Sequence, residues 1–168
     1  LMRSSITLVE LLVVIALVGI LAGVGYPNLV DWNCRQDLRN DFEKFTLYLN
    51  EVQSEAISRN KTTLVRVVTP QGSAYLRPFL LQDKNCTVTT RSQSLENQIA
   101  IHSFPPATRI SSAGNQCFYG DGSADAGSFQ FTRSCTDKSY LYKVQIFGAT
   151  GLFEKQKYNY TTKTWSDL

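Results

Sequence analysis

The N-terminal stretch constrains this chain more than any other feature. From Leu8 to Tyr26 the sequence is apolar except for Glu10. About twenty helical residues, at about 1.5 Å each, span the hydrocarbon core of a bilayer. A cleaved secretory signal peptide is the alternative, but it would have a shorter apolar region followed by a small-residue cleavage site. Here the apolar run continues through Pro27 toward an amphipathic segment, so we predict a membrane helix.

Glu10 is the anomaly within that helix. An ionised side chain near the bilayer centre costs about 2.5 to 3.5 kcal/mol on insertion scales, and less near the interface. A carboxylate close to the N-terminal end of the helix can pair with the free α-amino group of a neighbouring subunit, which removes two isolated charges at once. The alternative is a glutamate tolerated at the membrane interface. We expect the pairing, and therefore a role for Glu10 in subunit assembly.

The residues around Glu10 carry a resemblance to a known class. The run ITLVELLVVIA, residues 6–16, resembles the N-terminal signal of type IV pilins and type II secretion pseudopilins. The resemblance implies cleavage by a prepilin peptidase between Ser5 and Ile6, where the family prefers Gly and Phe, and N-methylation of the new amine of Ile6. Gly19 and Pro27 match the residues that in this family bound a helical stretch able to melt inside the filament. Proline lacks the backbone donor and glycine weakens a helix, which agrees with that role.

A second periodic segment follows Pro27. Its apolar residues recur at alternating steps of four and three, which predicts one buried stripe of an amphipathic helix over about residues 35–60. The stripe comprises Leu38, Phe42, Phe45, Leu49, Val52 and Ala56. We expect it to pack on a sheet while the charges on the other faces stay solvated; a coiled-coil partner helix is the competing interpretation. Those charges are Asp37, Arg39, Asp41, Glu43, Lys44, Glu51 and Glu55.

The rest of the chain has extended periodicity and frequent turn signals. Predicted strands are 63–68, 74–81, 87–90, 99–104, 117–119, 128–133, 140–147 and 152–160. One long helix followed by an antiparallel sheet is an α+β arrangement. We therefore divide the chain into a residual leader (1–5), a hydrophobic assembly helix (6–27) and a globular domain (28–168), whose β-rich part is 62–168.

Two further elements narrow the resemblance. The helix end VQSEAISRN, residues 52–60, and the run FYGDGS, residues 118–123, followed by GSF at 127–129, are similar to the GspH/FimT branch. The resemblance implies the type IV pilin fold, and a FimU-like or FimT-like minor pilin that helps prime pilus assembly at or near the tip. Such a pilus supports adhesion, twitching motility or DNA uptake. The alternatives are a GspH-like type II secretion pseudopilin and a DNA-binding minor pilin for natural transformation.

The resemblance also implies partners and location. The partners are other minor pilins and the major pilin, met through the N-terminal helix, together with the prepilin peptidase and the inner-membrane assembly platform. The location is the bacterial inner membrane, as a single-pass protein with its globular domain in the periplasm, and then the extracellular pilus.

DNA binding is possible but not favoured. DNA-capturing members of the branch carry Gly-Arg-x-Arg near the last hairpin, whereas the matching run here is GLFE, residues 151–154, and its glutamate would repel phosphate. Lys155, Lys157 and Lys163, interleaved with aromatic residues, leave a weaker basic-aromatic site. The net charge of +3 gives no broad nucleic-acid footprint.

We expect disulfides and no catalytic site. An even number of cysteines in an exported chain favours disulfides, and four cysteines allow three pairings. Of these we expect Cys34 with Cys86 and Cys117 with Cys135, because the latter two flank a predicted turn. His102 is the only histidine, which removes most catalytic triads and histidine-rich metal sites. We predict a chain that is not an enzyme and has no cofactor, with Asp121 and Asp125 in an ordinary turn rather than a calcium site.

Overall fold

The computed structural model describes residues 7–69, 73–82, 84–99, 103–112, 114–136 and 138–168, with the side chains of 22, 24–28 and 112 left out of the description. A single helix, α1, runs from Leu8 to Arg59 over 52 residues. Thr7 caps its N-terminus, and Asn60 ends it in the left-handed conformation with φ 50° and ψ 44°. The predicted amphipathic helix is therefore the second part of one helix that continues through Pro27.

Within the described residues, ten strands follow α1 and form two antiparallel sheets. In chain order they are β1 (Thr63–Val68), β2 (Ala74–Leu80), β3 (Gln93–Ser94), β4 (Ser103–Phe104), β5 (Thr108–Ser112), β6 (Gln116–Phe118), β7 (Gly127–Cys135), β8 (Lys138–Ile146), β9 (Phe153–Asn159) and β10 (Thr164–Asp167). Sheet A has the order β3-β2-β1-β6, with β4 also paired to β2. Sheet B has the order β10-β9-β8-β7-β5.

The apolar stripe of α1 packs against both sheets and confirms the predicted periodicity. All six predicted stripe residues have no exposed surface. Their cluster includes Val65 of sheet A and Val144 of sheet B. The ring of Phe45 lies 4.6 Å from that of Phe131 and 4.9 Å from that of Phe129, in edge-to-face contacts. The stripe thus joins the two sheets into one core.

The predicted charges of α1 lie outside the core as expected, but Asp41 is exposed over only 13% of its side chain and, like the 59% exposed Asp37, it pairs with sheet B. Arg133 of β7 lies 3.3 Å from Asp37 and 3.8 Å from Asp41. Asp41 also accepts a 2.8 Å hydrogen bond from Thr108 of β5. Asp41 departs from the expectation because it lies beside the stripe, where Arg133 of β7 and Thr108 of β5 meet it.

The disulfides are confirmed as such, but the expected pairing is wrong. Cys34 is bonded to Cys135, and Cys86 is bonded to Cys117. Cys117 lies on β6 of sheet A, whereas Cys135 ends β7 of sheet B, so the two do not occupy neighbouring strands. The helix passes over the end of β7, which brings Cys34 to Cys135 instead.

Most strand predictions agree with the structure, and the errors have local causes. Residues 87–90 do not form a strand, because Thr89 and Ser92 close a turn in which the Thr89 N–H donates to the Ser92 hydroxyl at 2.9 Å. Of the predicted strand 99–104, Ser103–Phe104 pairs with β2, and residues 100–102, which include His102, lie outside the described residues. Strands β3, β5 and β10 were not predicted.

Candidate functional site

The N-terminal part of α1 presents an uncovered apolar surface. The exposed fraction is 75% at Leu8, 57% at Leu11, 58% at Val18 and 72% at Leu21. Glu10 is exposed among them, and its backbone N–H donates to the Thr7 hydroxyl at 3.3 Å. A contiguous apolar surface of this kind marks contact with a membrane or with another protein. The carboxylate of Glu10 thus lies on an apolar surface of the kind that a membrane or another protein covers.

The other predicted N-terminal site residues are placed only in part. Ser5 and Ile6 lie outside the described residues, so their predicted processing stays a prediction. Gly19 lies on α1, where an added Cβ would meet no other described group within 4 Å, and the backbone of Pro27 is helical. In the part of the chain that the structure describes, no helix has a stretch both long enough and apolar enough to cross a membrane.

The two globular elements that resemble the GspH/FimT branch meet at the C-terminal end of α1. The side-chain amide of Gln53 donates to the carbonyl oxygens of Gly122 and Gly151, each at 3.1 Å. A Cβ built on Gly120 would lie 2.6 Å from the backbone carbon of Asn60. Gly151 has a φ of +62°, and a Cβ there would overlap both Gly122 and Gln53. These glycines therefore let two loops dock closely on the helix end.

The loop aspartates are used within the loop, as an ordinary turn requires. Asp121 accepts hydrogen bonds from the hydroxyl and the backbone N–H of Ser123, and these bonds hold its pKa below the ordinary value. Asp125 accepts a 2.8 Å bond from the hydroxyl of Tyr119. Burial, and then that bond, raise the pKa of Tyr119 to about 12. The sulfurs of Cys86 and Cys117 lie near Asp125, but their disulfide removes them as metal ligands.

The last hairpin separates the lysines from the aromatic residues. Lys155 faces α1, where its ammonium lies 2.5 Å from Glu43, and Lys157 faces the same side. Lys163 lies in the β9–β10 turn with a φ of 55°. Tyr158 lies on the opposite face of the sheet, 5.2 Å from the ring of Trp165. The predicted basic-aromatic site is thus split over two faces.

A residue that the sequence reasoning missed joins the aromatic face. The ammonium of Lys143, on β8, lies 4.6 Å from the ring centre of Trp165. Strand alternation could have placed Lys143 opposite the buried Tyr142 and Val144, but only the strand order brings β8 close to β10. The outer face of sheet B therefore carries one lysine among its aromatic rings.

A long N-terminal helix packed on antiparallel sheets is the type IV pilin fold, and with an uncovered apolar helix it defines a pilin-type subunit. Residues 2–26 match the prokaryotic N-terminal methylation motif. Residues 42–150 match the model of the type II transport protein GspH, and the chain belongs to this family. Neither a curated protein nor a solved structure matches the chain.

Proposed function

We propose that this chain is a minor pilin of a bacterial type IV pilus, a structural and non-catalytic subunit. Before assembly the chain is held in the inner membrane by its N-terminal helix. It then joins other subunits through the same helix and helps to prime assembly. In the filament it stays at or near the tip, with the major pilin added beneath. The observation that carries the proposal is the exposed apolar helix with Glu10 near its start, within the matched methylation motif.

The electrostatics of Glu10 explain how the helix selects its partners. A lone carboxylate moved into an apolar bundle keeps a desolvation cost of several kcal/mol unless an opposite charge meets it. If Ile6 carries the mature amine, a neighbouring subunit supplies that charge once per added copy. Apolar contacts alone do not specify how far two such helices are shifted along their axes. The polar contact fixes this register, much as a single polar residue fixes the register of a coiled coil.

The membrane location rests on the sequence of the same segment. Residues Leu8 to Tyr26 would extend about 28 Å as a helix, close to the thickness of a bilayer core of about 30 Å. Trp32 follows, half exposed, in the region where aromatic side chains favour the membrane interface. The prepilin peptidase and the inner-membrane assembly platform are the partners expected before assembly.

A secretion pseudopilin is the second candidate, because the family match itself carries the name of a type II transport protein. The two disulfides favour the pilus, since cross-links suit a subunit that is exposed outside the cell under load. DNA capture is not part of the proposal. In the run that would hold the arginines, Gly151 is committed to the helix-end contact and position 154 is a glutamate.

The assembly role is tested with Glu10→Ala in cells that express the full chain at its native level. We expect the variant to remain in the membrane fraction and to be lost from pili sheared off the cells. Glu51→Ala is the matched control, because Glu51 is an exposed glutamate on the same helix. Normal incorporation of Glu10→Ala would refute the pairing role.

The choice between pilus and secretion is tested by deleting the gene and measuring both outputs in the same cells. We expect fewer surface pili and reduced twitching, with normal release of exported proteins. The reverse pattern would establish the secretion alternative instead.

A further inference from the structure

A cationic recess lies between α1 and the last strands of sheet B. Its volume is about 280 Å³. It is lined by Arg35, Gln36 and Arg39 of α1, Tyr142 of β8, Lys157 of β9, and Leu168. Arg35 and Arg39 are four residues apart, so one helix face presents both guanidiniums to the same space.

The three cationic groups of the recess have no acidic partner in the described part of the chain. No carboxylate there lies within ion-pair distance of Arg35, Arg39 or Lys157, whereas Lys155, two residues earlier on the same strand, is paired with Glu43. Like charges placed together raise the free energy of the empty site. Binding of an anion in the recess would reduce this repulsion between the three cations.

The recess also contains an unused hydroxyl donor. Tyr142 is only 3% exposed, with its ring stacked on Phe42, yet its side chain lines the recess. Within the described residues, no hydrogen bond joins its hydroxyl to another group. Burial raises the pKa of Tyr142, and the charges of Arg39 and Arg35 oppose that rise, which places both guanidiniums near the phenol oxygen.

We propose that this recess binds a phosphate-type oxyanion, held by Arg35, Arg39 and Lys157 with the Tyr142 hydroxyl as a further donor. Guanidinium forks match the paired oxygens of a phosphoryl group, and the lysine adds a third charge. A group with two negative charges and several acceptor oxygens uses these donors more fully than a single carboxylate does. The space is large enough for a phosphoryl group and part of the molecule that carries it.

The same chemistry has two sources, a free phosphate or the headgroup of an anionic phospholipid. Arg35 lies nine residues beyond Tyr26, about 14 Å along the helix. This places the recess on the side of the globular domain that the proposed membrane helix enters. The free-phosphate source does not depend on the proposed function, whereas the lipid source does.

The first arm of the test uses the ¹⁵N-labelled full chain in a neutral detergent, titrated with inorganic phosphate. The Nε–H resonances of the arginines are followed by NMR, with sodium chloride at matched ionic strength as the reference. We expect a saturable shift of two arginine resonances that Arg35→Gln/Arg39→Gln abolishes, with affinity reduced about tenfold or more by Lys157→Gln. Arg66→Gln/Arg109→Gln removes the same charge from exposed positions on β1 and β5, and should leave the response unchanged.

The second arm places the same chain in nanodiscs of phosphatidylcholine alone or mixed with phosphatidic acid. A shift of the same two resonances in the mixed discs, without added phosphate, assigns the headgroup as the source. A shift in the first arm only assigns free phosphate. The proposal is overturned if neither arm gives a saturable shift, or if the variants of the recess and of the exposed control respond alike. Circular dichroism of each variant confirms that the fold is intact.

Discussion

Removing the Cys34–Cys135 disulfide should destabilise the chain more than removing the Cys86–Cys117 disulfide. The two bonds close loops of very different length, because their sequence separations are 101 and 31 residues. The comparison uses two double variants, Cys34→Ser/Cys135→Ser and Cys86→Ser/Cys117→Ser. Each variant replaces one buried and one half-buried cysteine, so the cost of burying a hydroxyl at position 117 or 135 is similar in both.

The expected magnitudes follow from the entropy of loop closure in the unfolded chain. At 25 °C that entropy amounts to about 4.7 kcal/mol for a loop of about 100 residues and about 3.7 kcal/mol for one of about 31. Residual structure in the unfolded state reduces both values. The difference of about 1 kcal/mol should survive, with the larger loss for Cys34→Ser/Cys135→Ser.

The assay is urea unfolding of the full chain in a neutral detergent, followed by near-ultraviolet circular dichroism of the aromatic core. Removing a cross-link lets the unfolded chain expand and should raise the denaturant dependence, so the free energy of each variant is taken from its own slope and midpoint together. If Cys86→Ser/Cys117→Ser is the less stable variant, loop length does not govern the effect. Local contacts around β6 would then have to account for it.

Three further predictions concern the core, the helix-end contact and the dependence of the unfolding free energy on pH above 10. Phe45→Ala should lower the unfolding free energy by about 3 to 5 kcal/mol, while Leu47→Ala, at a position 68% exposed, should change it by no more than about 0.5 kcal/mol in the same urea assay. Gly151→Ala should cost at least about 1 to 3 kcal/mol through backbone strain alone, and no measurable loss would contradict the close docking of its loop. Because the pKa of Tyr119 is raised in the folded chain, its protonated hydroxyl contributes fully to the free energy of unfolding below its ordinary pKa of 10.0. This contribution is lost as the pH rises to about 12. Tyr119→Phe should therefore lose less stability over that window than the wild type in the same urea assay, and an equal loss would contradict this role of Tyr119.

The helix and its buried stripe could be predicted because their signal is local and long. Six apolar positions spaced by threes and fours predict one buried helix face whether its partner is a sheet or another helix, and all six are buried. The edges of sheet B could not be predicted in the same way. Strands β5 and β10 lie at its two ends, where a short polar segment can pair with one neighbour without apolar alternation.

The pairing of cysteines and the composition of the surface sites depend on strand order, which the sequence does not carry locally. Cys117 and Cys135 are separated by one turn signal, yet they belong to different sheets. Arg39 was predicted only as a solvated charge of the helix and Arg35 was not singled out, because Lys157 and Tyr142 reach them only through the order of β8 and β9. The sequence therefore identifies the cysteines and the cationic residues, but it does not predict which of them lie close together in the fold.

The residues matched by the two family models include most of the helix-end packing but only part of the recess. Gln53, Gly120 and Gly122 of the helix-end contact lie inside residues 42–150, and Gly151 lies one residue beyond this range; these residues serve the packing of the fold. The methylation motif at 2–26 covers the exposed apolar part of α1. Arg35, Arg39 and the whole β9–β10 hairpin lie outside both ranges. The matched ranges therefore do not contain the recess cations Arg35, Arg39 and Lys157, and the oxyanion proposal rests on their geometry in this chain.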